Sequence, residues 1–242
     1  CTVTDTAEGS LARAGEKRRF IPRTLDEIVA HRAAFLEGYQ DRAWADRYRA
    51  LVERVRAVEA ERVPGRSDLA LAVAKGLAKL MSYKDEYEVA RLYTDGSFLE
   101  RLKSEFEGWD RLELHLAPPL VAERDPVTGR LKKRAYGPWM LRVFRVVARL
   151  RHLRGTRFDL FGWTAERRME RRLIAEHEAL LDEIVARLTP ANHALAVELA
   201  GLPERMRGFG HIKEANVAQT KAREAELLAA FRAEPGALRA AE

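Results

Sequence analysis

The sequence predicts a mainly α fold, a multi-helix bundle-like domain with one short β-hairpin or β arm. Three observations predict it. Apolar residues recur three and four apart through most of the chain, capping residues stand at the starts of those runs, and only residues 112–136 alternate with the period of a strand. A hydrophobic fraction of 47% with 33% charged residues over 242 positions supports a real core and excludes collagen-like and low-complexity chains.

Thr24 and Glu27 form a T-x-x-E capping box ahead of Ile28, Phe35 and Tyr39, and Gly38 is the expected break in a helical run extending to residue 62. Trp44, Tyr48, Leu51, Val55 and Val58 continue the apolar face beyond it. Further helices are expected over about 67–81, 83–93, 138–153, 163–187, 190–200 and 210–232. Ser82 with Asp85, and Ser97 with Glu100, read as capping pairs. Pro190 falls in the first turn of its helix, where its missing N–H is harmless, and Gly201 and Pro203 end that helix. Leu112, Leu114 and Leu116 alternate with Glu113 and His115, and residues 125–129 carry turn chemistry before the basic return Lys132, Lys133 and Arg134. Pro118 and Pro119 place this arm at an edge. The expected organisation is a linker or the end of a preceding domain over 1–23, a helical domain over 24–232 with the arm at 112–136, and a frayed tail over 233–242.

The longest stretch free of Asp, Glu, Lys and Arg, Leu188–Val197, is half of what a membrane-spanning helix needs, and no signal-peptide pattern opens the chain. With Cys1 as the sole cysteine, a cytoplasmic setting without internal disulfides or thiolate metal sites is expected. The chain begins at Cys1 and not at methionine, so it reads as part of something longer. The net charge of +6 is uneven: residues 124–172 hold 15 basic residues against 4 acidic, a local excess of 11. A polyanion, an acidic protein or an anionic membrane surface would be drawn there.

Motif chemistry is sparse. There is no Walker loop, no GxSxG elbow and no HExxH helix, and the six histidines are dispersed, so no metal site is expected. His177 falls on the apolar face of Met169, Leu173, Leu181 and Ile184 and reads as a core histidine with a satisfied ring. Two sets of residues carry binding hypotheses. Arg142, Arg145 and Arg149 line one side of a helix and would dock an acidic partner, against the plainer reading of a solvated face. Arg207, Gly208, Gly210, His211 and Lys213 surround a helix start that would suit a phosphate or carboxylate, against the plainer reading of a tight connection. The basic arm, with Tyr136 and Trp139 nearby, has no nucleic-acid motif beside it, and nucleic acid is not an expected partner.

The runs KLMSYKDEYEVARLYTDG (79–96), HLAPPL (115–120), GPWML (137–141), FGWTAERRMERRLIAEHEALLDE (161–183) and TPANHALAVELAGLPERMRGFGHIKEAN (189–216) closely resemble the C-terminal region of the fused bacterial indolepyruvate ferredoxin oxidoreductases. The likeness spans about 24–232, and in that family the region is a domain of unknown function. The resemblance implies a parent 2-oxoacid:ferredoxin oxidoreductase that decarboxylates aryl 2-oxoacids such as indolepyruvate on thiamine diphosphate and Mg. It would pass electrons through an iron–sulfur cluster to ferredoxin and release an acyl-CoA. This segment lacks a GDG-type diphosphate motif and cluster cysteines, so no catalytic residue is carried over. The expected role is accessory: packing on the rest of the parent chain, homodimerisation or ferredoxin docking. The alternative is a stand-alone helical module that binds a polyanion or anionic membrane through its basic stretch.

Overall fold

The computed structural model describes residues 21–108, 111–116, 132, 134–208 and 210–233. It is mainly α, with nine α-helices among the described residues and one two-stranded antiparallel sheet. Two compact units divide the chain: a larger one from Ile21–Tyr83 and the residues from Gly155 onward, and a smaller one that includes Lys84–Arg154.

The larger unit begins with α1 (Leu25–Tyr39), started by the expected box: Thr24 Oγ1 accepts from the Glu27 amide and Glu27 Oε2 from the Thr24 amide. Its break comes after Gly38, at Gln40, because Asp41 caps α2 (Arg42–Arg62) by accepting from the Trp44 amide at 2.8 Å. Leu36 is buried where Phe35 was expected, and Phe35 stays 37% exposed. The remaining helices of this unit are α3 (Asp68–Met81), α7 (Ala165–Arg187), α8 (His193–Gly201) and α9 (His211–Arg232). The α-helix α8 starts three residues after Pro190, which lies in the preceding turn: Asn192 Oδ1 accepts from the Thr189 amide and the Asn192 side chain donates to Arg187 O, which delays the helix.

The centre of this unit is α3, which packs against α1, α2, α7 and α8. Its sequence, DLALAVAKGLAKLM, is apolar nearly all round, and nine of its residues are buried, from Leu69 to Met81. Buried polar tips around it find backbone carbonyls: Tyr39 Oη donates to Tyr83 O at 2.8 Å, Tyr48 Oη to Ala74 O at 2.9 Å and Trp44 Nε1 to Met81 O at 3.1 Å. Burial raises the Tyr48 phenol well above its usual range, so it remains a donor. Gly76 sits where α3 runs closest to the end of α8, and a Cβ there would stand 2.6 Å from Ala200 O and 3.3 Å from Pro203 Cγ. Gly76→Ala is therefore expected to destabilise the protein by about 1–3 kcal/mol despite alanine's better helix propensity. A lowered melting temperature against wild type checks this, and an unchanged or raised one would contradict the close approach.

The smaller unit holds α4 (Glu86–Thr94), α5 (Ser97–Glu105), strands β1 (Leu114–Leu116) and β2 (Arg134–Tyr136), and α6 (Met140–Arg149), which continues as a 3-10 turn over Leu150–Leu153. Leu114 pairs with Tyr136 and Leu116 with Arg134. The connection between the strands, with Pro118, Pro119 and the 125–129 turn, lies outside the described residues. Two capping expectations are corrected. Asp85 itself caps α4, accepting from the Glu88 amide at 2.8 Å, while Ser82 Oγ turns back to Ala78 O. Gly96 occupies the N-cap of α5, and Ser97 is its first residue, bonded to Asp95 Oδ1.

Candidate functional site

The chain reverses at Gly137 and Pro138, whose carbonyls accept from the Met140 and Leu141 amides at 3.1 Å and so open α6. One side of α6 is buried by Met140 and Ala148, with Phe144 against Tyr93 at 5.5 Å and Tyr93 edge-on to Phe98 at 4.7 Å. Arg142, Arg145 and Arg149 all emerge on the other side. Among the described residues none of the three has a hydrogen-bond or ion-pair partner for its guanidinium.

The side of α6 that carries the arginines also exposes apolar side chains. Val143 is 41% exposed and Val146 57%, and Trp139, just ahead of the helix, is 55% exposed. Positions 139, 142, 143, 146 and 149 fall within one helical surface by their three- and four-residue spacing. The face is thus a mixed one, with apolar side chains between unpaired guanidinium groups. That composition resembles a protein interface more than a solvated helix back. Tyr136 stacks edge-on with Trp139 at 6.0 Å, which steadies the indole at the head of the face. On the arm, Lys132 and Arg134 are exposed, and Lys133 lies outside the described residues.

The second candidate set lies in the larger unit at the start of α9. Gly208 has φ +104° and Gly210 φ +54°, values that favour glycine, so the turn chemistry is as the sequence implies. Lys213, 14% exposed at its side chain, forms an ion pair with buried Glu170 of α7. Arg207 Nε donates to Glu204 O at 2.8 Å, and Asn216 Nδ2 donates to Arg207 O at 2.7 Å. Beside them Lys79 Nζ donates to Pro203 O at 2.7 Å and Glu204 O at 2.9 Å, and burial lowers its pKa. These residues follow one another along this turn and helix start, and Lys213 is aimed at Glu170. An external anion would have to displace that carboxylate.

Buried carboxylates are a further feature that spacing did not reveal as a group. Asp85 accepts from Arg154 Nε at 2.6 Å and Nη2 at 2.9 Å, and that guanidinium lies 5.4 Å from the Tyr87 ring. Glu59 is held by His193, Asp159 by Arg171 and Glu170 by Lys213. Each has a hydrogen-bond partner in a neighbouring cation or imidazole, and among the described residues no group of three His, Cys, Asp or Glu could hold a metal ion. With Cys1 the sole thiol of the chain, a cysteine-held iron–sulfur cluster lacks its ligands here.

A model described as Family of unknown function (DUF6537) matches residues 25–226. The chain belongs to this family. No curated protein and no solved structure gives a match. The matched residues run from the first residue of α1 into α9, so the family covers both compact units and the α6 face. Among the described residues no helix is long and apolar enough to cross a membrane.

Proposed function

We propose that the chain is the C-terminal accessory domain of an indolepyruvate ferredoxin oxidoreductase and that α6 is where an acidic protein, ferredoxin in the first instance, docks. The observation that carries the docking role is the set of three unpaired arginines around exposed Trp139, Val143 and Val146. The resemblance of the residue runs to that oxidoreductase family suggests the partner. On this reading thiamine diphosphate, magnesium and the cluster belong to the rest of the polypeptide, which also packs against this domain. This segment supplies no reacting group.

Arginine suits the task, because its planar fork pairs with carboxylates in two-point fashion. Attraction between the local basic excess and an acidic partner accelerates encounter and weakens with salt, while the apolar side chains shed water once contact is made. In the complete oxidoreductase, replacing Arg142, Arg145 and Arg149 together by Glu is expected to slow association with ferredoxin by about tenfold or more at low salt. Turnover at saturating ferredoxin should change much less. All three side chains are exposed, so folding is preserved. Stopped-flow association rates that stay the same after triple charge reversal rule the docking role out.

A further inference from the structure

The loop Gly155–Thr164, in the larger unit, presents three large apolar side chains to solvent: Phe158 is 68% exposed, Leu160 58% and Trp163 71%. Loops that carry such groups by accident are soft, whereas this one is pinned from within. Asp159, only 3% exposed, points inward between the outward residues. Its Oδ2 accepts from the Gly155 amide at 2.8 Å, and its Oδ1 accepts from the Phe161 amide at 3.2 Å and the Gly162 amide at 3.0 Å. From α7, Arg171 Nη1 reaches Asp159 Oδ2 at 3.4 Å, and Nη2 donates to Gly162 O at 2.6 Å. One carboxylate and one guanidinium thus hold the backbone on both flanks of Leu160.

Two exposed arginines lie close in sequence on either side of these apolar groups, Arg157 within the loop and Arg168 in the first turn of α7. Neither has a side-chain partner among the described residues.

We infer that this loop is a preformed protein-docking knob, whose partner offers an apolar socket for Trp163, Phe158 and Leu160 rimmed by carboxylates for Arg157 and Arg168. Tryptophan and arginine dominate the energetics of such contacts, and a loop ordered before binding loses little conformational entropy on docking. The charge complement decides the rim: once docking buries the indole, the guanidinium groups need acidic counterparts, since a desolvated unpaired cation is costly. An anionic bilayer would also satisfy charge and indole, but it accepts a mobile loop as readily as a rigid one. The internal pinning by Asp159 favours a shaped protein socket. The inference stands on residues separate from α6 and does not depend on the oxidoreductase assignment.

The test places the photo-crosslinker p-benzoylphenylalanine at position 163 of the complete natural protein in its own cells and maps the crosslinked peptide by mass spectrometry. The expected result is one dominant crosslink, to a peptide with apolar residues and Asp or Glu close by. It should fall about tenfold when Arg157 and Arg168 are both changed to Glu. Asp159→Ala, which releases the loop while keeping its apolar side chains, should reduce it as well, and Arg142→Glu should leave it unchanged. Absent or scattered crosslinks would overturn the inference, as would a single crosslink indifferent to the double charge reversal. Binding to phosphatidylglycerol and phosphatidylcholine vesicles that disappears on Trp163→Ser would give the loop to lipid and overturn it too.

Discussion

Glu59→Ala is expected to destabilise the protein by about 3–5 kcal/mol, the consequence of leaving several buried donors without their acceptor. Glu59 of α2 is 1% exposed and His193 of α8 is 3% exposed. One carboxylate oxygen accepts from His193 Nε2 at 2.7 Å and from the Leu69 amide at 2.9 Å, and the other accepts from the Ala70 amide at 2.8 Å. Those two amides belong to the first turn of α3, where Ser67 makes no side-chain cap. A residue from another helix therefore does the capping, and its negative charge also meets the positive end of the α3 dipole. Alanine would strand two amides and an imidazole in a site closed to water. Urea unfolding should show the loss, and hydrogen exchange should accelerate at Leu69 and Ala70. Glu59→Gln, which keeps an acceptor but not the charge, should fall between. If Glu59→Ala shifted the midpoint no more than Arg47→Ala, which breaks a half-exposed pair with Glu178, the lock would be disproved.

Acid should unfold the protein through His177. The ring is buried on α7 at 3% exposure, and its Nε2 has no hydrogen-bond partner among the described residues, so the expected core position holds but the expected satisfied ring does not. Burial first, and the nearby Lys221 charge second, lower its pKa from 6.5 to about 4. The sign follows from proton counting. Between those values the unfolded chain binds a proton that the fold refuses, so stability is complete above pH 6.5 and declines as pH falls toward about 4. The full decline amounts to about 3 kcal/mol, at 1.36 kcal/mol for each pH unit of the gap. His177→Leu removes the titrating ring and leaves an apolar side chain in an apolar place. Its unfolding free energy should lose about 3 kcal/mol less than wild type between pH 7 and 4. Parallel pH profiles for the two proteins would show that acid sensitivity lies elsewhere.

Much of the fold was legible because local signals agree with the final packing. Thr24 and Glu27 cap α1 as their spacing requires, the all-round apolar α3 is the centre of its unit, and the alternating leucines at 114 and 116 form a strand. Departures occur where competing local bonds settle a boundary. Asp41 is a better cap than Gly38 is a breaker, and Asn192 holds a turn that postpones α8 beyond Pro190. Such choices differ by little free energy and depend on which side chain reaches which amide.

The candidate sites were legible only as lists of charges. Spacing put Arg142, Arg145 and Arg149 on one side of a helix, but it could not show that Val143 and Val146 share their exposure, since an apolar residue beside a core helix normally faces inward. In the FDLFGW run Asp159 takes the inward position, while Phe158, Leu160 and Trp163 stay exposed, which residue spacing alone did not indicate.

From its residues alone the chain was determined to be mainly helical, with one β arm and a basic centre, because periodicity, caps and charge are properties of near neighbours. Which carboxylates are buried, which group bonds each and which arginines remain unpaired among the described residues was decided by tertiary structure. Glu59 and His193 lie 134 positions apart and Asp85 and Arg154 lie 69 apart, so no local pattern encodes their pairing. Only the packing of whole helices brings such groups within hydrogen-bond reach and removes the water that would otherwise serve them.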